Sequence, residues 1–295
     1  MTLLKRSPQF IIHLFFVLYV AATVFPLLLI FMVSITEEKS LLRNGYSFFP
    51  EIIDFSAYVY LFYDSSTIIN AYGVTIFVTV IGTVCGLLLT ALFAYPISRK
   101  DFPLRKALTF YVFFTMLFNG GLVPWYLVYT NVLNINNTLL ALIVPNLLIG
   151  GFNVLIMRTF FTTTIPPEVI ESASMDGAGE LRIFFQIVLR LSLPVMATIG
   201  LFMTLAYWND WYNSLIYIND IDMYSIQYLL NKTLTDIQVV LNQTTGALQS
   251  QLLASVPTET VRMAMAVVGL GPIVLAYPFF QRYIVQGMTV GAVKG

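Results

Sequence analysis

The chain has 295 residues, of which 58% are hydrophobic and 10% charged, and its formal net charge is zero. Ordinary soluble domains carry about 25% charged residues, so the composition excludes a conventional soluble enzyme, and the balanced charge gives no electrostatic footprint for nucleic acid. The single cysteine, Cys85, excludes an internal disulfide and, lying in an apolar stretch, is expected as a small buried hydrophobe.

Six stretches of about 20 or more mainly apolar residues, the length a bilayer requires, fall near 10–35, 68–95, 107–130, 138–161, 194–218 and 260–285. The first follows Lys5-Arg6 and is too long for a signal-peptide core, so it is read as a retained helix. His13, inside it, is the only histidine, and with no cysteine cluster beside it no His-rich metal site is possible. A helix–helix contact or an interfacial position is the expectation. The third stretch is interrupted by Asn119-Gly120-Gly121 and Pro124, the fourth by Pro145-Asn146, Gly150-Gly151 and Asn153. Backbone groups freed by such breaks must be satisfied by protein or cavity water, never by lipid. A break marks either a translocation path, with Asn119 on it, or close packing of small residues; packing is favoured for the fourth stretch.

Between the fourth and fifth stretches lies a polar island, 165–194. Pro166 and Pro167 suit a helix start, and Glu168 and Glu171 complement the dipole of its first turns. Asp176-Gly177 signals a turn, and Gly179 loosens the backbone again. Leu181, Phe184, Phe185, Val188 and Leu189 then recur at helical spacing, which predicts a second helix with that apolar face and with Arg182, Gln186 and Arg190 on its polar face.

The outer half of the fifth stretch reads Tyr207-Trp208-Asn209-Asp210-Trp211-Tyr212-Asn213-Ser214. An ionisable group at membrane depth usually faces a polar cavity or a partner. Aromatic faces stack on sugar C–H surfaces, and Asn and Asp bond hydroxyls, so Tyr207, Trp208, Asn209, Asp210, Trp211 and Asn213 suit a sugar pathway. They equally suit an interfacial aromatic belt with Asp210 at the water boundary. Farther on, Arg262 is expected to pair with an acidic neighbour or to snorkel.

Eleven of the 15 basic residues fall on one side of these stretches: Lys5, Arg6, Arg99, Lys100, Arg105, Lys106, Arg158, Arg182, Arg190, Arg282 and Lys294. The richer side is expected to be cytoplasmic, which places both termini and the 162–193 loop inside and the 36–67 and 219–259 segments outside. The 219–259 segment, with Asp220, Asp222, Asp236, Asn231, Asn242, Gln243, Thr244 and Thr245 and few basic residues, reads by itself as a plain solvated loop. No Gly-x-x-x-x-Gly-Lys-Ser/Thr, His-Glu-x-x-His or Gly-x-Ser-x-Gly occurs, so the chain carries no phosphate-cradling loop and no such catalytic motif.

The polar island resembles the cytoplasmic "EAA" loop of the membrane subunits of bacterial ABC importers. Glu171-Ser172-Ala173 matches the start of that pattern, and Gly177, Ile187 and Leu189 match its glycine, isoleucine and leucine. Ser172 replaces the middle alanine. Arg190 replaces the proline, so the second helix is expected to run about a turn further, until Pro194 restricts it. Outside the loop the chain is similar to maltose-transporter-type permeases, and to the lipoprotein/oligosaccharide branch of them, in Asn119-Gly120-Gly121-Leu122-Val123-Pro124, Met157-Arg158-Thr159-Phe160-Phe161 and Gly291-Ala292-Val293-Lys294-Gly295.

The resemblance implies an all-α, six-span type I permease, one transmembrane domain over 1–295, in the bacterial plasma membrane. It implies a second homologous permease, two cytoplasmic ATPase subunits that hold the ATP and magnesium, an extracellular binding protein that delivers cargo and docks on the 219–259 segment, and a carbohydrate cargo, an oligosaccharide. No cofactor is expected on this chain. Glu168, Glu171, Ala173, Asp176, Gly177, Arg182 and Arg190 are the expected ATPase-coupling residues. An ATP-independent transporter or channel would need ionisable groups buried mid-span, where only Asp210 comes near, and an intramembrane enzyme would need a second catalytic partner that the spacing does not supply.

Overall fold

The computed structural model describes residues 6–63, 65–243 and 258–292. Lys5, Lys294, Val293-Lys294-Gly295 of the terminal motif, and the 244–257 part of the outward segment lie outside them. Among the described residues all regular elements are helical, apart from an antiparallel bridge between Thr36 and Ile53. They form two compact units: Met1–Ser66 with Leu230–Pro272, and Thr67–Leu229 with Ile273–Gly295.

The first unit opens with α1 (Arg6–Ser34), whose apolar span Gln9–Ser34 buries none of its most hydrophobic window. His13 is exposed on it. Two short helices follow, α2 (Glu38–Asn44) and α3 (Ser56–Leu61). Glu38 is buried and caps the final helix, Thr258–Ala292. Its Oε1 accepts from Glu259 N at 3.0 Å and Thr258 Oγ1 at 3.3 Å. Its Oε2 accepts from Thr260 N at 2.9 Å and Thr260 Oγ1 at 2.7 Å. A carboxylate at a helix N-terminus satisfies orphan donors and opposes the dipole. Arg262 pairs with Glu259 at 3.2 Å, the acidic neighbour the sequence called for.

The second unit is built on α4 (Ser65–Ser98), 34 residues long. Small side chains recur along one face, with Ala71, Thr75, Thr79, Gly82, Gly86, Thr90 and Ala94 all buried, which lets neighbouring helices approach closely. Cys85 departs from expectation: it is exposed, at the margin of the face that buries Gly82 and Gly86.

The third apolar stretch is two helices, α5 (Arg105–Leu117) and α6 (Leu122–Val132), bent by 117° at the Asn119-Gly120-Gly121 break. Gly121 has φ +83°, a conformation that favours glycine. The fourth stretch is shorter than its composition suggested. A single turn, α7 (Leu140–Ile143), is separated from α8 (Gly151–Thr164, 14 residues) by a break in which Asn146 takes φ +63°. Then come α9 (Pro167–Met175) and α10 (Glu180–Leu191), followed after an 80° bend by α11 (Leu193–Trp208) and α12 (Tyr212–Tyr217). The remaining helices, α13 (Ile226–Gln243) and α14 (Thr258–Ala292), each begin in one unit and end in the other or cross its boundary.

Among the described residues, three helices are long and apolar enough to cross a membrane, or up to five if each bent pair counts as one span. The core of the second unit joins α4, α8, α10 and α11 through Ala94, Ile97, Met157, Phe161, Phe184, Val188, Ile199 and Met203.

Candidate functional site

The polar island folds as a helical hairpin. Pro166 takes extended backbone (φ −64°, ψ 131°) and Pro167 occupies the first position of α9, where a missing N–H costs nothing. The far end of α9 is closed by its own backbone. Gly177 N donates to Ser174 O at 3.0 Å and Ala178 N donates to Ala173 O at 3.0 Å, the paired bonds of a Schellman cap. That cap needs a left-handed residue one position past its last helical turn, and Gly177 supplies it with φ +79°. No atom would meet a Cβ at Gly177, so the requirement there is one of conformation and not of space. Ala173 and Ala178, brought together by the cap, both pack on the core.

The second helix differs in detail from its sequence pattern. Phe184–Val188 form a π-helical turn, which carries an extra residue and rotates the face that follows. Ile183, Phe184 and Val188 are the buried residues, whereas Leu181 and Phe185, expected on the apolar face, are 70% and 50% exposed. The helix runs one residue past Arg190, to Leu191, and not the full turn to Pro194 that the missing proline suggested; the chain bends at Ser192 before α11. Arg182 Nε donates to Gln186 Oε1 at 3.1 Å along the exposed side.

The hairpin is tied to the end of α4 by a polar cluster. Tyr95 OH donates to Glu180 Oε2 at 2.8 Å. Arg99 Nη1 donates to Tyr95 OH at 3.2 Å, and Arg99 Nη2 lies 3.7 Å from Glu180 Oε1. Arg99 also holds Asp101 through two bonds, of 3.0 and 2.8 Å. These bonds hold the Asp101 carboxyl below the usual carboxylate range. Beside the cluster, a cleft of about 380 Å³ is lined by Arg99, Lys100, Ile165, Pro167, Ile170 and Glu171.

Of the expected coupling residues, Glu168, Glu171, Asp176, Gly177, Arg182 and Arg190 are exposed on this hairpin, and Ala173 is half-buried beneath it. Val169, Met175, Leu181 and Phe185 are exposed on it as well, so its outer surface mixes charge with large apolar groups. Of Tyr95, Arg99 and Glu180, the sequence marks only Arg99, and that for its charge alone. Tyr95 and Arg99 stand one helical turn apart, a legible spacing, but nothing in the chain order pairs them with a residue 85 positions away.

The aromatic segment at 207–214 lies elsewhere in the unit, and it divides. Tyr207 is buried at 2% exposure; its ring packs on Gly82 and its hydroxyl donates to Ile143 O at 2.9 Å. Trp208 is buried, 6.4 Å between ring centres from Tyr72. Asn213, also buried, donates from Nδ2 to Pro145 O at 3.2 Å. Tyr207 and Asn213 thus satisfy carbonyls beside the α7–α8 break, the accounting that a break at membrane depth demands. Asp210 Oδ1 accepts from Tyr212 N and Asn213 N, each at 3.1 Å, and so caps α12. Asn209, Trp211 and Tyr212 remain exposed. Asn119, exposed at the α5–α6 bend, accepts from Gly121 N at 2.8 Å and from Trp125 Nε1 at 3.2 Å, so its carbonyl group shapes the turn. Among the described residues no group of three or more His, Cys, Asp or Glu could hold a metal ion.

An all-helical chain with long apolar helices and an exposed, glycine-capped hairpin between the fourth and fifth apolar stretches is the architecture of a transport permease, and the comparisons agree. Residues 82–290 match the family "Binding-protein-dependent transport system inner membrane component", and the chain belongs to that family. It is 37% identical, over 99% of both chains, to the polygalacturonan/rhamnogalacturonan transport system permease protein YtcP of Bacillus subtilis (strain 168). It is 37% identical to the protein LplC of the same organism, over 93% of this chain and 90% of that one. Its fold matches a chain in the crystal structure of a bacterial ABC transporter involved in the import of the acidic polysaccharide alginate, with TM-score 0.78, 26% identity, and coverage of 96% of this chain and 98% of that one. The relatives are permease subunits, not enzymes.

Proposed function

We propose that this chain is one of two homologous permease subunits of an ATP-driven oligosaccharide importer in the bacterial plasma membrane. In this reading it spans the bilayer six times with both termini cytoplasmic, its helices form half of the translocation pathway, and 1–295 is one transmembrane domain. The fourth span is the broken α7–α8 pair. Two ATPases that hold ATP and magnesium bind beneath it, and an extracellular binding protein delivers cargo to the outward segments, 219–259 included. The names of YtcP and of the alginate transporter support a glycan cargo, and within those names an acidic one.

The observation that carries the mechanism is the hairpin. Its bend is locked by the Gly177 cap, its outer surface presents Glu171, Arg182 and exposed apolar groups, and its inner face is fixed to α4, α8 and α11. Such a body transmits a push without yielding. ATPase closure displaces the hairpin, Glu180 and Phe184 carry that displacement to Tyr95 on α4, and the spans exchange inward for outward opening. Glu171 makes the polar contact to the ATPase, with Glu168, Asp176, Arg182 and Arg190 around it, and Ala173 and Gly177 hold the shape. Asn209 and Trp211, two of the exposed members of the aromatic segment, are proposed to touch the sugar; Tyr207, Trp208, Asp210, Asn213 and Asn119 set the geometry behind them.

The test is Gly177→Asp in the assembled complex, reading uptake of an oligogalacturonide and ATP hydrolysis together. The expected result is a loss of binding-protein-stimulated hydrolysis and at least a tenfold fall in uptake, a loss on the order of 1.4 kcal/mol in coupling free energy. Undiminished coupling in that variant overturns the mechanism.

A further inference from the structure

At the corner where α4 ends and α5 begins, a cavity of about 960 Å³ opens beside the membrane-spanning helices. Four of its lining side chains are cations: Lys100, Arg105, Lys106 and Arg158. Its one carboxylate, Asp101, is already held by Arg99 at 3.0 and 2.8 Å. Among the described residues no carboxylate lies within 4.0 Å of any of the four cations, and the polar bond of the set is from Arg158 Nε to Ile97 O at 3.1 Å. Apart from Thr109, whose hydroxyl donates to Arg105 O at 2.7 Å, the rest of the wall is apolar. Phe110 and Phe113, on α5, are 67% and 48% exposed, and Leu155 is half-buried behind them.

Four uncompensated cations in one cavity repel one another, and an anion relieves the repulsion. Exposed phenylalanines on the same wall favour an anion that brings hydrocarbon with it. The position fits, because Lys100 follows two residues after the end of the apolar α4, where a span of that composition would leave hydrocarbon for headgroups. Basic pockets between membrane helices at that depth take phosphate-bearing headgroups. We propose that this cavity binds an anionic phospholipid, with its phosphodiester among Lys100, Arg105, Lys106 and Arg158 and its acyl chains along Phe110 and Phe113. Inorganic phosphate shares the anionic chemistry but makes no use of the apolar wall. The inference does not depend on the coupling role of the hairpin, since it concerns lipid occupancy alone.

The test uses the full chain in phosphatidylcholine nanodiscs containing a trace of photoactivatable phosphatidylglycerol, with adducts mapped by mass spectrometry. Adducts are expected on the peptide spanning 104–114. Unlabelled phosphatidylglycerol should suppress them and millimolar inorganic phosphate should not. Lys100→Gln with Lys106→Gln should reduce them about tenfold or more, whereas Lys100→Arg with Lys106→Arg should retain them. Both lysines are exposed, so the exchange leaves the fold in place. Lys232→Gln, remote in sequence, should change nothing. Equal labelling in the glutamine variant, an equal fall with Lys232→Gln, or competition by phosphate as strong as by the lipid would each overturn the proposal.

Discussion

The Tyr95 hydroxyl donates to Glu180 at 2.8 Å while its ring stands 5.4 Å from that of Phe184. One α4 side chain therefore grips α10 through an acid and through its buried face, four residues apart. Because hydroxyl and ring act on the same helix, the hydroxyl can be removed while the ring stays in place.

Tyr95→Phe and Glu180→Gln should each lower the number of oligosaccharides imported per ATP, and the double variant should be no worse than the poorer single one. The coupling energy expected for a bond to a partly exposed carboxylate is on the order of 1 kcal/mol. Uptake and hydrolysis measured together in proteoliposomes give the ratio. Strict additivity in the double-mutant cycle would show that the bond transmits nothing.

At Gly177 the expected order of stability is Gly, then Asn, then Ala, then Val. Asn tolerates left-handed backbone, and Ala pays about 1 kcal/mol for it. Since no atom crowds a Cβ there, size alone should matter little. Amide exchange at residues 173–178 checks this, because Ala178 N and Gly177 N are the protected donors.

Gly82 tests packing inside the bilayer. A Cβ at that position would stand 2.4 to 2.7 Å from three atoms of the Tyr207 ring. The ring is enclosed and its hydroxyl is committed to Ile143 O, so it has nowhere to retreat. Gly82→Ala should destabilise the chain by about 1–3 kcal/mol, and Tyr207→Phe by about 1–2 kcal/mol for the unsatisfied carbonyl. If Gly82→Ala is restored by Tyr207→Phe, the clash lies at the hydroxyl and not at the ring; no restoration is expected. Thermal unfolding in detergent reads both.

Glu38→Ala should free the first turn of α14, since it removes the acceptor of Glu259 N and Thr260 N. The cost expected for a lost cap is about 1–2 kcal/mol. Hydrogen exchange at residues 259–261 should accelerate, with α1 unchanged.

The Arg99–Asp101 pair sets an acid limit. The Asp101 carboxyl titrates below its unfolded value of about 3.9, so its contribution is full above that pH and fades as pH falls through the lower folded value. Protection factors at 99–104, with the intrinsic pH dependence of amide exchange divided out, should be flat from about pH 8 to 5, fall below about pH 4, and lose this dependence in Asp101→Asn.

Much of this molecule was legible from order and composition. Pro166-Pro167 and Asp176-Gly177 mark the start and the turn of the hairpin, since each acts through local backbone chemistry, whereas the end of its second helix, at Leu191, falls short of the extra turn expected from Arg190. Phe184, Val188 and Leu189 face the core as their spacing predicts, but Leu181 and Phe185 do not and Ile183 does, since the π-helical turn at Phe184–Val188 departs from the 3.6-residue period. Cys85 was misplaced for a related reason: in an apolar helix 34 residues long, hydrophobicity does not tell the lipid side from the packed side, and only the small residues do. Tyr207 and Asn213 looked like ligand groups from composition. Their partners, the carbonyls of Ile143 and Pro145, lie 64 and 68 positions away and carry no side-chain signature. The Tyr95–Glu180 tie was hidden by the same kind of distance.

The Schellman cap closes α9 with main-chain bonds alone, so the elbow of the hairpin is indifferent to whatever cargo the surrounding helices accept. Residues 166–192 can therefore be treated as an exchangeable cassette. Grafted between relatives with its contacts to Tyr95 and Arg99 kept, it should change which motor a permease obeys while leaving its choice of sugar untouched.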